Sequence, residues 1–179
     1  MKFIRDYVVK IQNPDLETIE ITKPFSMKCD TVKNTLASTN TCNLTLYNLR
    51  PSYRNWIYKD RYQISDYWQL VIQAGYNNLE TIFQGNIYQS MSSKVGPDWI
   101  TQIEAFDGLY GIQNGYMAET VNKNTPIKEI AGKVIDSLPN ITSGIFGSSV
   151  DGQTGSRGQV FMGQSTKILG DITDGNYYI

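Results

Sequence analysis

Residues 80–108 read ETIFQGNIYQSMSSKVGPDWITQIEAFDG, and this stretch decides the fold. Apolar and polar side chains alternate over 80–90 and again over 99–106, which is the period of half-buried β-strands. Between these runs, residues 94–98 contain the Gly-Pro pair of a turn, and the Asp-Gly pair at 107–108 ends the second run. The stretch therefore predicts two antiparallel strands joined by a short turn.

The same alternation continues upstream, so sheets are expected to dominate the fold. Residues 68–74 alternate and lead into a turn at 75–78, which adds a third strand and makes a meander. Residues 3–11 and 16–22 predict a further hairpin, because Asn13-Pro14-Asp15 between them is a turn-forming trio. One more short strand is expected at 25–29.

Residues 42–47 predict another strand, with Cys42, Leu44 and Leu46 on its core face. A short crossover helix is expected after it over 49–58, because Pro51 and Ser52 suit the start of a helix.

Residues 126–138 give the clearest helical signal in the sequence. Apolar side chains recur there at three- and four-residue steps, namely Ile127, Ile130, Ala131, Val134, Ile135 and Leu138. Thr125 is expected to cap the free amides, Pro126 to occupy the first helical position, and Pro139 to prevent continuation. We expect this amphipathic helix to pack on a sheet by one face.

Three regions follow from this pattern. Residues 1–140 are expected to form one β-rich α+β domain, an antiparallel barrel or sandwich with one packed amphipathic helix. Residues 141–158 are rich in Gly, Ser, Thr and Asp and predict a loop or linker. Residues 159–179 predict a strand and a short amphipathic helix, and are interpreted as the start of a second, truncated domain.

Charge and hydropathy argue against two classes of partner. The 16 Lys and Arg residues balance 17 Asp and Glu residues without a basic cluster, so no nucleic-acid partner is expected. No run approaches the roughly 20 apolar residues of a spanning helix, and charges interrupt the N-terminus, so no membrane association is expected.

The residue types also argue against catalysis and metal binding. The chain has no histidine, which removes Ser-His-Asp and Cys-His chemistry and the common zinc sites. Cys29 and Cys42 are interpreted as reduced, structural thiols. Asp98, Glu104 and Asp107 could form a carboxylate pair, but acidic residues at strand ends and in Asp-Gly turns are ordinary turn formers. We therefore expect no enzyme activity, no cofactor and no metal.

Aromatic side chains with amide neighbours are the candidate binding residues. They are Tyr47, Tyr53, Trp56 and Tyr76. Three interpretations are open: a protein interface, where Tyr, Trp and Arg are enriched; a platform on which sugars stack; or ordinary core and turn packing.

Three segments resemble bacteriophage tail baseplate hub proteins, including the late control protein D-like hubs of contractile injection systems. Residues 43–49 resemble the strand end before a short helix, and residues 71–76 resemble the L-x-A-G-Y strand. Residues 81–87 and 97–108 together resemble the I-F-x-G-x-I and D-x-x-T-x-I-x-A-x-D-G hairpin, which is the most specific of the three. Their order supports a resemblance over residues 1–140, the N-terminal part of such a hub.

This resemblance implies a structural protein of the virion tail baseplate, assembled in the host cytoplasm. Its partners would be the tail tube and central spike proteins, and the full-length protein would form a homotrimeric ring. The 179-residue chain by itself is expected to be monomeric or weakly associated. A carbohydrate-binding β-module is the alternative function, and a hydrolase with two facing carboxylates is a third.

Overall fold

A computed structural model describes residues 5–33, 39–63, 66–76, 78–141 and 152–173. The chain divides into two compact units, Met1–Leu109 and Tyr110–Ile179. Within the described ranges, no helix combines the length and the apolar character that a membrane span requires.

One antiparallel sheet of seven strands forms the first unit, in the order β2-β1-β5-β6-β7-β4-β3. The elements are β1 (Asp6–Gln12), β2 (Thr18–Ile21), β3 (Met27–Val32), β4 (Thr41–Tyr47), α1 (Pro51–Trp56), β5 (Trp68–Gly75), β6 (Glu80–Val95) and β7 (Asp98–Phe106). The predicted β-rich α+β fold, the meander, the N-terminal hairpin and the short helix are confirmed. The sheet is not closed into a barrel.

The hairpin of β6 and β7 is longer than the alternation predicted. Pairing continues from the middle of the sheet to Val95 opposite Asp98, and only Gly96 and Pro97 form the turn. Gly96 has φ of +60°, which a residue without a Cβ adopts at no steric cost. The last pairs of this hairpin lie beyond the neighbouring strands, so its tip is exposed.

The strands β2 and β3 lie at opposite edges of the sheet although only residues 22–26 separate them in sequence. This connection is fixed on both sides. The Tyr7 hydroxyl of β1 donates a hydrogen bond to the Phe25 carbonyl oxygen. The Tyr47 amide of β4 donates to the Ser26 carbonyl oxygen at 3.0 Å. The sheet is therefore curled so that its two edges approach each other.

Apolar side chains on the inner face of the curled sheet form the core of this unit. As predicted, Cys42, Leu44 and Leu46 of β4 belong to it and are buried. The residues Val9, Ile11, Ile21, Leu49, Ile57, Leu70, Ile72, Phe83, Ile87, Ile103 and Ala105 complete the buried set. The helix α1 covers one end of the core, where the rings of Trp56 and Trp68 meet edge to face at 4.8 Å.

The second unit packs helices on a two-stranded antiparallel sheet. Its elements are α2 (Leu109–Asn114), β8 (Tyr116–Val121), α3 (Ile127–Asp136), β9 (Gln159–Gln164) and α4 (Ser165–Thr173). The strand and short helix expected after residue 158 are thus confirmed, whereas α2 and β8 were not predicted. Most of the glycine-rich loop expected at 141–158 lies outside the described residues.

The helix α3 has the predicted apolar stripe. Ile127, Ile130, Ala131 and Val134 are buried, Leu138 just beyond the helix is also buried, and Ile135 is half-buried. The stripe faces α4 and the β8–β9 sheet in a common core that includes Met117 and Phe161. The helix α3 thus packs with residues 116–121 and 159–173. The expected first domain of residues 1–140 included α3 but not its partners in 159–173.

The start of α3 corrects one prediction. Thr125 does not cap the helix, because its hydroxyl donates to the Asn122 carbonyl oxygen at 2.8 Å. Pro126 takes the N-cap position in an extended conformation, so the helix begins one residue later than expected.

Replacing Val134 with Asp should destabilise the second unit, because it puts an unpaired charge at a fully buried position. The expected loss is about 3 kcal/mol or more. Hydrogen exchange of the amides in α3 and β8 measures it. Val160→Asp is the matched control, since Val160 is 67% exposed. An unchanged exchange pattern in Val134→Asp would contradict the burial of Val134 in this core.

Candidate interaction site

The structure brings three of the four candidate aromatic residues to one end of the sheet. Tyr47 ends β4 opposite Ile100 of β7, and Tyr53 and Trp56 lie on α1, which follows β4. Tyr76 follows the last residue of β5, which pairs with the first residue of β1. The antiparallel register therefore places Tyr76 at the opposite end. We call the end formed by α1 and the starts of β5 and β7 the aromatic end.

These four side chains differ in how much of them a partner could contact. Tyr53 and Trp56 are half-buried against the core, and the Trp56 indole N–H donates to the Glu17 carboxylate at 3.3 Å. Tyr47 is half-buried as well. Tyr76 is 53% exposed, with the Arg5 guanidinium 5.4 Å from its ring centroid. Packing within the first unit already covers part of Tyr47, Tyr53 and Trp56. An interface role for all four residues stays a prediction.

A pocket at the aromatic end was missed by the sequence analysis. It has a volume of about 400 Å³ and is lined by Arg54, Asn55, Tyr58, Ser92 and Trp99. The Arg54 guanidinium lies 3.7 Å from the centroid of the Trp99 ring, which is a close cation–π contact. The four-residue spacing of Arg54 and Tyr58 within the helix expected over 49–58 was the available local signal, although α1 ends at Trp56. Nothing local indicated Trp99 as their partner.

Asn48 fixes the start of β7 against the end of β4 and so positions Trp99. Its side-chain amide donates to the Asp98 carboxylate at 2.9 Å, and its side-chain oxygen accepts from the Trp99 amide at 3.0 Å. Its own backbone N–H donates to the Trp99 carbonyl oxygen at 2.8 Å. Asn48 adopts φ of +54°, a conformation that Asn tolerates better than most residues.

Lys59 anchors the segment after α1 to the long hairpin. Its backbone exchanges two hydrogen bonds with Ser90 of β6, at 3.0 and 2.9 Å. Its buried ammonium group donates to the Gln63 carbonyl oxygen at 2.9 Å. Burial lowers the pKa of Lys59. This anchor holds Tyr58, the next residue back along the chain, beside the pocket.

The carboxylates considered for catalysis do not converge. Asp98 and Glu104 are six residues apart on one strand, hence about 20 Å apart, whereas glycosidase carboxylates lie within about 10 Å. Asp98 accepts from Asn48, and Asp107 accepts from Asn40 at 3.2 Å. Over the described ranges, no three Cys, Asp or Glu side chains gather into a potential metal site.

The outer face of the sheet carries a shallow polar groove of about 310 Å³ across β4, β7 and β6. Its lining consists of Asn43, Leu44, Thr45, Gln89, Met91, Gln102, Ile103 and Glu104. No aromatic side chain is among these residues. The groove therefore lacks the ring surface on which a sugar would stack.

The two cysteines face each other across β3 and β4 as free thiols, with their sulfur atoms 3.8 Å apart. The hydrogen bond from Cys42 lowers the pKa of the half-buried Cys29. The same bond, together with burial, raises the pKa of Cys42. Any thiolate in this pair therefore resides on Cys29.

Comparisons with known proteins agree on one kind of relative. The family model described as Baseplate hub gp41 matches residues 7–143. Among solved structures, a tail protein from Neisseria meningitidis MC58 is similar, with 13% identity and a TM-score of 0.56 over 95% of this chain and 45% of that one. The 43 kDa tail protein of prophage MuSo2 from Shewanella oneidensis has 9% identity and a TM-score of 0.57, over 95% and 49% of the two chains.

The chain thus spans less than half the length of these two structures, and the likeness at such low identity concerns the fold. No match was found among curated proteins.

Replacing Asn48 with Ala should cost about 2 kcal/mol, since it removes two side-chain hydrogen bonds and strains a left-handed residue. Asn48→Gly keeps the backbone relaxed and should cost about half as much. Urea unfolding followed by tryptophan fluorescence measures both values. Equal losses in the two variants would contradict the part assigned to the backbone conformation.

Cys29 should react with iodoacetamide before Cys42, because it is more exposed and has the lowered pKa. Peptide mass spectrometry after timed labelling at about pH 8 follows each thiol separately. Cys42→Ala should slow the labelling of Cys29, since the thiol that lowers its pKa is gone. Faster labelling of Cys42 in the native chain is the result that this arrangement does not allow.

Proposed function

This chain belongs to the Baseplate hub gp41 family, and we propose that it works as a structural part of a phage tail baseplate, joining the tail tube to the central spike. The observation that carries the proposal is the extent of the family match, residues 7–143. That range includes the strands of the curled sheet, apart from Asp6 at the start of β1, and the helix α3.

The site geometry fits a role in assembly rather than in chemistry. Arg54, Tyr58 and Trp99 at the aromatic end are the residue types most enriched at the energetic centres of protein interfaces. The separation of the carboxylates along β7 supports a non-enzymatic function. The partners we propose are the tail tube and spike proteins, and we propose a homotrimer for the full-length protein, assembled in the host cytoplasm.

Carbohydrate binding remains the rival function, but the aromatic end disfavours it. Sugar stacking needs a broad free ring face, whereas the Arg54 guanidinium covers one face of Trp99 and the ring is only 38% exposed. Tyr62 and Tyr76 are 74% and 53% exposed and lie in different parts of the first unit. They do not form a common platform.

Lysine-directed cross-linking of purified virions, followed by mass spectrometry, tests the proposed function. Lys94 near the hairpin tip and Lys28 on the edge strand β3 are both exposed and can report on neighbours. We expect cross-links from Lys94 to a tail tube or spike protein, and the purified chain with the same reagent provides the background. Virions without this chain, or cross-links confined to head or fibre proteins, would refute the hub function.

A further inference from the structure

We propose that the pocket of Arg54, Asn55, Tyr58, Ser92 and Trp99 receives the carboxylate of an aspartate or glutamate side chain on a different protein of the baseplate. The inference deepens the hub function proposed above and rests on it. It names the chemistry of a contact that the family match leaves open.

The state of Arg54 is the first argument. Its Nε and Nη1 atoms are buried, and neither has a hydrogen-bond acceptor in the part of the chain that the structure describes. The stacking on Trp99 holds the guanidinium in place but satisfies none of its N–H donors. Buried donors without an acceptor are destabilising, and a charged acceptor forms the strongest bonds with them. The free chain thus keeps a cation with unsatisfied donors, which a carboxylate in the pocket would satisfy once the Arg54 side chain turns toward it.

The charges around the pocket are the second argument. None of the five lining residues is acidic. Lys94 lies directly opposite Trp99 in the β6–β7 register, so both side chains project from the same face of the hairpin. Asp98 projects from the other face and already accepts from Asn48. Arg54 stacks on the Trp99 ring, Lys94 projects from the same face of the hairpin, and the pocket lining contains no acid, so the complementary ligand is an anion.

The walls of the pocket favour a side chain of a protein over a small inorganic anion. Tyr58 is 50% exposed and Trp99 is 38% exposed, so ring surface is available next to the cations. An aspartate or glutamate offers an acceptor-only carboxylate on an apolar stem, which matches cations and rings together. The volume of about 400 Å³ lies within the range of side-chain and ligand pockets.

A comparison of stability with assembly separates docking from a structural role. Arg54→Leu removes unsatisfied donors, so the urea midpoint of the free chain should stay unchanged or rise. The yield of complete tails in a complementation assay should nevertheless fall about tenfold or more. Arg50→Leu is the matched control, because Arg50 also stacks on an aromatic ring, that of Tyr53, but lies outside the pocket. Its tail yield should stay within about twofold of the parent.

A fall in both stability and yield for Arg54→Leu would overturn the proposal, because Arg54 would then be a structural residue. Unchanged yield would overturn it as well.

Photo-cross-linking identifies the occupant. A benzoyl-phenylalanine placed at Tyr58, in chains assembled into virions, should capture a segment of another baseplate protein that contains Asp or Glu. The same group at Tyr62, which is 74% exposed and does not line the pocket, is the control position. Replacing the captured acid with Arg should lower the tail yield, and combining that change with Arg54→Glu should restore it.

A captured segment without an acid, a second copy of this chain, a glycan adduct, or no adduct above the Tyr62 control would each overturn the docking proposal. The hub function would survive all four outcomes as long as the chain cross-links within the baseplate. Absence of the chain from the virion would instead refute the hub function, so the two failures are distinguishable.

Discussion

The short connection between β2 and β3 is the constraint on which the first unit depends. Seven strands laid flat at about 4.8 Å spacing would put the outer two roughly 29 Å apart. The chain from Ile21 to Met27 can reach about 20 Å at most. The sheet therefore has to curl, and the hydrogen bonds of Phe25 to β1 and of Ser26 to β4 hold its edges at that distance. Curling encloses the inner face, which is why the apolar side chains of all these strands share one core.

The curvature explains features that a flat sheet would not need. A Cβ on Gly85 would lie 2.6 Å from the Phe106 carbonyl oxygen, so this position of β6 accepts only glycine without a backbone shift. The register also shifts on β6 next to Ile87, as a bulge does where a strand bends. The first half of β6 pairs with β5 and the second half with β7, so the hairpin projects beyond its neighbours. Because the hairpin projects in this way, the Trp99 ring lies against the Arg54 guanidinium.

Local patterns revealed those elements whose side chains alternate or repeat cleanly, such as β4, β7 and α3. The strand β8 was not predicted because an exposed Glu119 lies between the buried Met117 and Val121, which breaks the alternation. The domain boundary was placed after α3 because no local pattern shows that its apolar stripe is covered by α4 and β9. The pocket could not be predicted from local patterns either, because it forms only when the strands pair in the observed register. Trp99 meets Arg54 and Asn48 only once β4 and β7 are paired, and local residue spacing does not encode that pairing.

The edges of the curled sheet are poor surfaces for the addition of a foreign strand, which favours the docking that we propose at the aromatic end. Both edge strands carry charged pairs on their outer face. Lys10 of β1 bonds Glu20 of β2 at 3.0 Å, and Lys28 bonds Asp30 within β3 at 2.8 Å. Such exposed pairs add little stability, but charged side chains on an edge strand oppose the addition of a foreign strand. In strand addition the main-chain hydrogen bonds give affinity, and selectivity requires additional pockets for the side chains of the added strand. The docking that we propose at the aromatic end has no such drawback, since a stacked ring and guanidinium would select a partner by both shape and charge. The proposed hub function, which requires one defined neighbour in an ordered particle, calls for that kind of surface.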